Sequence, residues 1–277
     1  MIDLHQFSGW ALGARHARLD GMFGSHESIV NRWACLRLTI AQRAARLVAA
    51  TLFPPKCCLC GFPGASLDLD LCCFCHADLP WLHGPSSSVV PLRFAPPADD
   101  LIRQLKYHGV HANARVLGVL LAQAADERAA SLPRLLVPVP LHVARLRERG
   151  FNQAGAIARY AGRMLGIPIA PGVVRRVRDT PSQTSLSVDE RHRNMRGAFA
   201  VNSPRALRRL LAAGHVAIVD DVITTGSTVA ELQCLLLAAG VRKVDVWAVA
   251  STAQARPSFL KSSGGGPSNL SIGTLPT

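Results

Sequence analysis

Apolar residues recur along this chain in two rhythms. Short apolar runs at 135–140, 173–174, 199–201, 216–219 and 244–249, the last broken only by Asp245, have the length of buried strands. Between them, apolar positions return at helical spacing. The pattern predicts helices over 101–107, 111 to about 130, 152 to about 165, 204–213, and from Val229 through Cys234 to Ala239, with Cys234 in the core. Gly109, Gly166, Gly214 and Gly240 supply the stops. Strands alternating with helices imply an α/β fold with a parallel sheet. An earlier helix over 31–53 puts Trp33, Leu36, Ile40, Leu47 and Val48 on one side and Arg32, Arg43 and Arg46 on another, and Pro54-Pro55 ends it. It either packs on its own domain or docks on lipid, nucleic acid or a partner. Residues 84–98, rich in Pro and Ser, read as a linker or an exposed crossing strand.

Composition changes this picture in two ways. The chain is 49% hydrophobic but only 5% aromatic, so Leu, Val and Ala must fill the core. The formal charge is +13, carried almost wholly by arginine, since Lys56, Lys106, Lys243 and Lys261 are the only lysines. That balance favours polyanionic partners, and the planar guanidinium fork matches phosphate. No run of about 18 apolar residues suggests a transmembrane span. The start of the chain does not read as a secretory signal, so a cytoplasmic location is expected.

Six of the eight cysteines lie between Cys57 and Cys75. Cys57, Cys60, Cys72 and Cys75 form two C-x-x-C knuckles, a spacing that suits tetrahedral thiolate ligation of structural Zn²⁺. Cys58 and Cys73 are spare, and shifted ligand sets using them or His76 stay open. About forty residues build little core, so a metal would stabilise this module.

The run from Val216 to Val219 is followed by Asp220 and Asp221, then by Thr224, Thr225, Gly226, Ser227 and Thr228 at the start of a helix. Hydroxyls and backbone N–H groups at a helix N-terminus attract an anion, and Gly226 permits close backbone approach. The two aspartates repel that anion but suit sugar hydroxyls or Mg²⁺. A sugar phosphate is the expected ligand. After the 135–140 strand, His142, Arg145, Arg147 and Arg149 form a cationic loop at the carboxyl edge of the sheet, where open α/β sheets bind ligands. Residues 178–193, including Arg178, Gln183, Arg191 and Arg193, read as a long polar loop that either closes over a ligand or is a mobile surface loop. The Pro-, Ser- and Gly-rich residues 257–277 read as a disordered tail.

The Asp-Asp and Thr-Thr-Gly-Ser-Thr segment resembles the phosphoribosyl-pyrophosphate (PRPP) motif of type I phosphoribosyltransferases. The match widens with the paired C-x-x-C module, Lys106-Tyr107, Pro138-Val139-Pro140-Leu141-His142, Arg149-Gly150-Phe151-Asn152-Gln153, and Arg178 through Gln183 with Arg191, Asn194, Gly197 and Phe199. Together, over roughly residues 50–253, these resemble the ComF family of competence-associated phosphoribosyltransferase-like proteins. The resemblance implies a double zinc-knuckle module (51–83) and a type I phosphoribosyltransferase-like domain (84–256), and outside it lie an N-terminal extension with a basic helix (1–50) and the tail (257–277). It implies that Asp220 and Asp221 hold the ribose hydroxyls, that Thr224, Thr225, Gly226, Ser227 and Thr228 bind the 5-phosphate, and that Arg145, Arg149, Arg178 and Gln183 serve the pyrophosphate and its lid. Asp220, Asp221 and Arg149 would carry any catalysis, with Mg²⁺ bridging ribose and pyrophosphate. Two functions follow from it. One is phosphoribosyl transfer to or from an unknown acceptor, by a protein acting in DNA uptake and natural competence. The other is a non-catalytic PRPP sensor that binds single-stranded DNA. The acceptor and the oligomeric state stay open.

Overall fold

The computed structural model describes residues 56–64, 69–82, 88–178 and 197–252. The 31–53 helix, Gln183, most of the 178–193 loop and the tail fall outside the described residues. Lys56 and Pro63 pair across a first cysteine turn, and the helix α1 (Cys73–Ala77) carries the second. The chain then alternates strands β1 (Ser88–Val89) and β2 (Leu92–Arg93), helices α2 (Ala98–His108) and α3 (His111–Arg128), strand β3 (Leu135–Pro138), and helices α4 (Val143–Arg149) and α5 (Gln153–Leu165). Strands β4 (Val174–Arg176) and β5 (Phe199–Val201), helix α6 (Pro204–Ala213), strand β6 (His215–Ile223), helix α7 (Ser227–Ala238) and strand β7 (Lys243–Ser251) complete it.

The five-stranded sheet has every pairing parallel: β1 and β2 both lie on β7, then come β6 and β3. β4 and β5 form a separate antiparallel pair. A sheet wound this way is covered on both faces. Alternation divides β6 accordingly, with Ala217 and Val219 entering one apolar cluster and Val216 and Ile218 the other. The first cluster joins β6 and β7 to α2, α3 and α5, and the second joins them to α6, α7 and β5. The predicted α/β architecture is therefore what the chain adopts. Within the stretch read as a linker or an exposed crossing strand, a pair of short strands is instead buried: Ser88 through Leu92 are all buried beside β7. Its prolines fit because Pro91 lies between β1 and β2, where the ladder is interrupted.

Small residues let the helices close on one another. A Cβ added to Gly118 in α3 would lie 2.6 Å from the Tyr160 Cβ and 2.7 Å from the Ile157 carbonyl oxygen in α5. Gly162 abuts the Ile167 carbonyl oxygen in the same way, at 2.6 Å. Gly155, by contrast, meets nothing nearer than 3.6 Å. Gly118→Ala should therefore cost about 1–3 kcal/mol through overpacking, whereas Gly155→Ala should stabilise by about 0.5 kcal/mol through helix propensity. Urea unfolding midpoints of the two variants check the contrast, and equal shifts would contradict it.

Candidate functional site

The central strand ends in an unusual charge arrangement. β6 runs on through Asp220 and Asp221 to Ile223, so the two carboxylates leave the backbone on opposite faces. Asp221, buried, receives an ion pair at 2.9 Å from Lys106 Nζ at the end of α2. Its other face is tied by the Val222 N–H, which donates to Asp221 Oδ1 at 2.7 Å. Asp220 lines a small cavity of about 20 Å³ with Thr224, Gly226, Ser227 and Thr228, room for about one water-sized group. Burial, and then the neighbouring Asp221 carboxylate, push the Asp220 carboxyl up to about 8. Burial works against the charge on Lys106, but Asp221 and Asp220 outweigh it and hold the ammonium above the usual lysine range.

The turn after β6 gathers hydrogen-bond donors at the start of α7. Gly226 stands in the left-handed region at φ 78° as the N-cap of α7, and no side chain caps that end. The first N–H groups of a twelve-residue helix therefore point toward the cavity side without an internal cap. Thr225 Oγ1 and Ser227 Oγ lie 2.8 Å apart, which fixes two hydroxyls at the same end. The strand, turn and helix thus place Asp220 and the hydroxyl residues together, as their order along the chain implies.

The arginines are placed differently from expectation. Residues 143–149 are the short helix α4 rather than a loop, because the His142 side chain accepts the Ala144 N–H and Gly150 closes the C-terminus at φ 76°. Arg149 at its last turn stacks its guanidinium 5.5 Å from the ring centroid of Tyr107. Tyr107 adjoins Lys106, so Arg149 reaches the Asp221 side of the rim through that ring. Arg145 is half-buried on the same helix. Arg178 is exposed just past β4, and Gln183 lies beyond the described residues. Asn152 caps α5 through Gly155 N–H and donates to the Val139 carbonyl, which locks that helix to the end of β3. Lys106 is the residue whose role the sequence alone left unread: it stood out as one of four lysines and within the Lys106-Tyr107 match, but its contact with Asp221 spans 115 positions of chain.

A second site lies in the cysteine turns. The four sulfurs of Cys57, Cys60, Cys72 and Cys75 all lie within 4.8 Å of one another, with Cys60 and Cys72 at 3.5 Å. Tetrahedral thiolate ligation, with metal–sulfur bonds of about 2.3 Å, needs sulfur–sulfur separations near 3.8 Å, so the donor set fits a structural metal. Cys75 N–H donates to Cys72 Sγ at 3.4 Å. Burial opposes it, but backbone N–H groups of Cys60, Cys72 and Leu59 lower the Cys57 thiol to about 6. Cys58 is half-buried, pushed up to about 11 by burial and by Asp70, and Cys73 is exposed. The module shares its core with the sheet: Leu69, Leu71 and Leu79 join the same cluster as α3. Asp70 also forms a two-pronged ion pair with Arg115 of α3. Cys234, expected in the core, is exposed on α7 because its stripe of apolar residues is wider than the buried face. No described helix is long and apolar enough to cross a membrane.

The fold and this rim define an α/β protein with a parallel sheet, an acidic and hydroxyl-lined carboxyl edge, and a four-cysteine cluster that could hold a structural metal. The chain belongs to the ComF family. It is 36% identical over 200 residues to the DNA utilization protein YhgH of Salmonella typhimurium (strain LT2), covering 71% of this chain and 84% of that protein. It is 34% identical over 218 residues to the DNA utilization protein YhgH of Escherichia coli (strain K12), covering 77% and 89%. Competence protein F of Haemophilus influenzae matches at 37% over 137 residues, 50% of this chain and 58% of that protein. No family model matches the chain.

Two expectations follow. The folded Asp220 carboxyl near 8 lies above its ordinary value of 3.8, so folding takes up a proton between them, and the stability this contributes below about pH 4 is lost as pH rises to about 8. Asp220→Asn lacks that loss, so its thermal midpoint should exceed the parent's by several degrees at pH 9 and by little at pH 4; an equal difference at both values would exclude a raised Asp220. Chelation of a bound metal should abolish amide-exchange protection in 56–64 and 69–82 first, while β6 and β7 stay protected; uniform loss across the chain would contradict that order.

Proposed function

We propose that this protein binds PRPP with Mg²⁺ at the carboxyl edge of β6, carries structural Zn²⁺ on its four cysteines, and acts in DNA uptake during natural competence. The observation that carries the reading is the single small cavity where Asp220 meets Thr224, Gly226, Ser227 and Thr228 at the uncapped start of α7. The 5-phosphate sits on the N–H groups and hydroxyls of the turn, with one oxygen in the cavity. Asp220 and Asp221 hold the ribose hydroxyls. Lys106 keeps the acid pair from excluding an anion, and Arg145 and Arg149, with Arg178 and Gln183 on the lid, face the pyrophosphate. Bound Mg²⁺ would neutralise the pyrophosphate. Departure of pyrophosphate leaves positive charge at the sugar, which Asp221, and Asp220 once it has given up its proton, stabilise while a nucleophile attacks. DNA utilization and competence are the roles printed for the relatives and are proposed for this chain on that likeness. Reduced thiols and free PRPP both suit the cytoplasm.

A second reading, a PRPP sensor that binds single-stranded DNA without turnover, is favoured by the acid-free arginine surface described next. Calorimetry with PRPP and Mg²⁺ tests the shared part. Asp221→Ala should weaken binding about tenfold or more, since it leaves Lys106 without its partner and removes a ribose acceptor; unchanged affinity would reject the site. Pyrophosphate release with a panel of bases then separates the readings. Release above the level of an Asp220→Ala/Asp221→Ala double variant favours transfer, and tight binding without release favours the sensor.

A further inference from the structure

The described residues 150–178 and 197–219 contain eight arginines and no Asp or Glu. They build α5, the β4–β5 pair, α6 and the segment that covers the open edge of the sheet. That segment pairs along β3, with Ile169 bridged to Leu136 and the Leu136 N–H donating to the Pro168 carbonyl. Beside it lies an open groove of about 500 Å³ lined by Arg159, Arg163, Gly162, Gly166 and the Ile167-Pro168-Ile169 floor. Arg209 of α6 donates to the Ile169 carbonyl at 2.9 Å, which holds a third guanidinium against the same segment. Arg163 is braced over the Tyr160 ring at 5.8 Å. Arg163 in the last turn of α5 also complements the helix dipole, but one cation suffices for that. The dipole does not account for Arg159 a turn earlier or for Arg209 on another helix.

We infer that this groove is the surface that holds single-stranded nucleic acid, with phosphates on Arg159 and Arg163 and bases lying flat over the Ile167-Pro168-Ile169 floor. The inference rests on the DNA reading of the proposed function and adds the location. Charge complementarity selects a polyanion. A recessed apolar floor between guanidinium planes selects unpaired bases, because a duplex offers only its phosphates to such a surface. A lipid surface would instead engage apolar groups that project from a basic face.

The test uses the full-length protein and a fluorescein-labelled oligo(dT) of about 20 nucleotides, read by anisotropy at about 50 and 150 mM NaCl. Arg159→Gln/Arg163→Gln should weaken binding about tenfold and reduce the log–log salt slope by about 1.4, two phosphates' worth for a single strand. The charge-matched control Lys56→Gln/Arg93→Gln, far from β3 across the sheet, should stay within about twofold of the parent. Both groove arginines are exposed, so thermal midpoints should match the parent; Arg159→Gln alone, with an expected loss of about threefold, serves if the double variant melts early. Equal losses in both double variants, or none in the groove variant while the parent binds, overturn the groove and leave DNA binding standing. No binding by the parent at low salt overturns the DNA reading and the groove together. A groove variant that keeps DNA but loses phosphatidylglycerol vesicles assigns the surface to lipid and overturns the proposal.

Discussion

Two adjacent carboxylates at the end of the innermost strand are the constraint around which this molecule is arranged. Removing charge from water costs several kcal/mol per ion unless a partner compensates. Here the compensation is divided between the faces of the sheet. On one face Lys106 pairs with Asp221. On the other, Asp220 accepts the Asp221 N–H at 2.9 Å and faces the cavity and the turn, and its carboxyl rises to about 8. The first carboxylate is thus satisfied by the protein, whereas the second is left for whatever enters the cavity. Such asymmetry is characteristic of sites built to bind, because a fully compensated pair gains little from a ligand.

Lys106 reaches this position because α2 is fixed at both ends. Its buried face, Leu101, Ile102 and Leu105, packs into the main core. The Asn113 side chain of α3 donates to the Leu101 carbonyl and to Gln104 Oε1, which holds the two helices in register. α3 is in turn held to α5 through Gly118 and to the cysteine turns through Arg115 and Asp70. A chain of packed helices therefore links the thiol cluster to the acid pair. The low aromatic content suits that arrangement, since Leu, Val, Ala and Gly let helices and sheet approach closely while Trp247 alone supplies a large buried ring in the central strands.

The charge distribution is equally uneven. Among the described residues, acidic side chains lie on the cysteine turns, α2, α3, α4, β6, α7 and β7, while residues 150–178 and 197–219 carry arginine and no Asp or Glu. His215 Nε2 lies 2.7 Å from Asp245 Oδ2 and Lys243 pairs with the same carboxylate at 3.7 Å, at the amino end of the sheet. The eight arginines of residues 150–178 and 197–219 give the β3 edge of the sheet a field of one sign, which attracts a polyanion from a distance.

Much of this was legible along the chain. Strands and helices announce themselves because each needs one apolar face or run, and those patterns are local. The four cysteines, the two aspartates and the hydroxyl turn were also readable, since each group sits within one tight turn or one strand end. The errors have physical reasons too. Residues 88–92 lie in a stretch that looks polar but are buried because β7 supplies their strand partners. The arginines after β3 look like a loop but wind into α4 because His142 and Gly150 cap it. What the order of residues determined by itself was the α/β alternation and the local make-up of both candidate sites. Only the tertiary structure decided that Lys106 answers Asp221, that Asp220 faces the turn, and that arginines from separate helices share one edge. Those facts depend on contacts between segments far apart in sequence, and no local periodicity encodes which distant side chain will arrive.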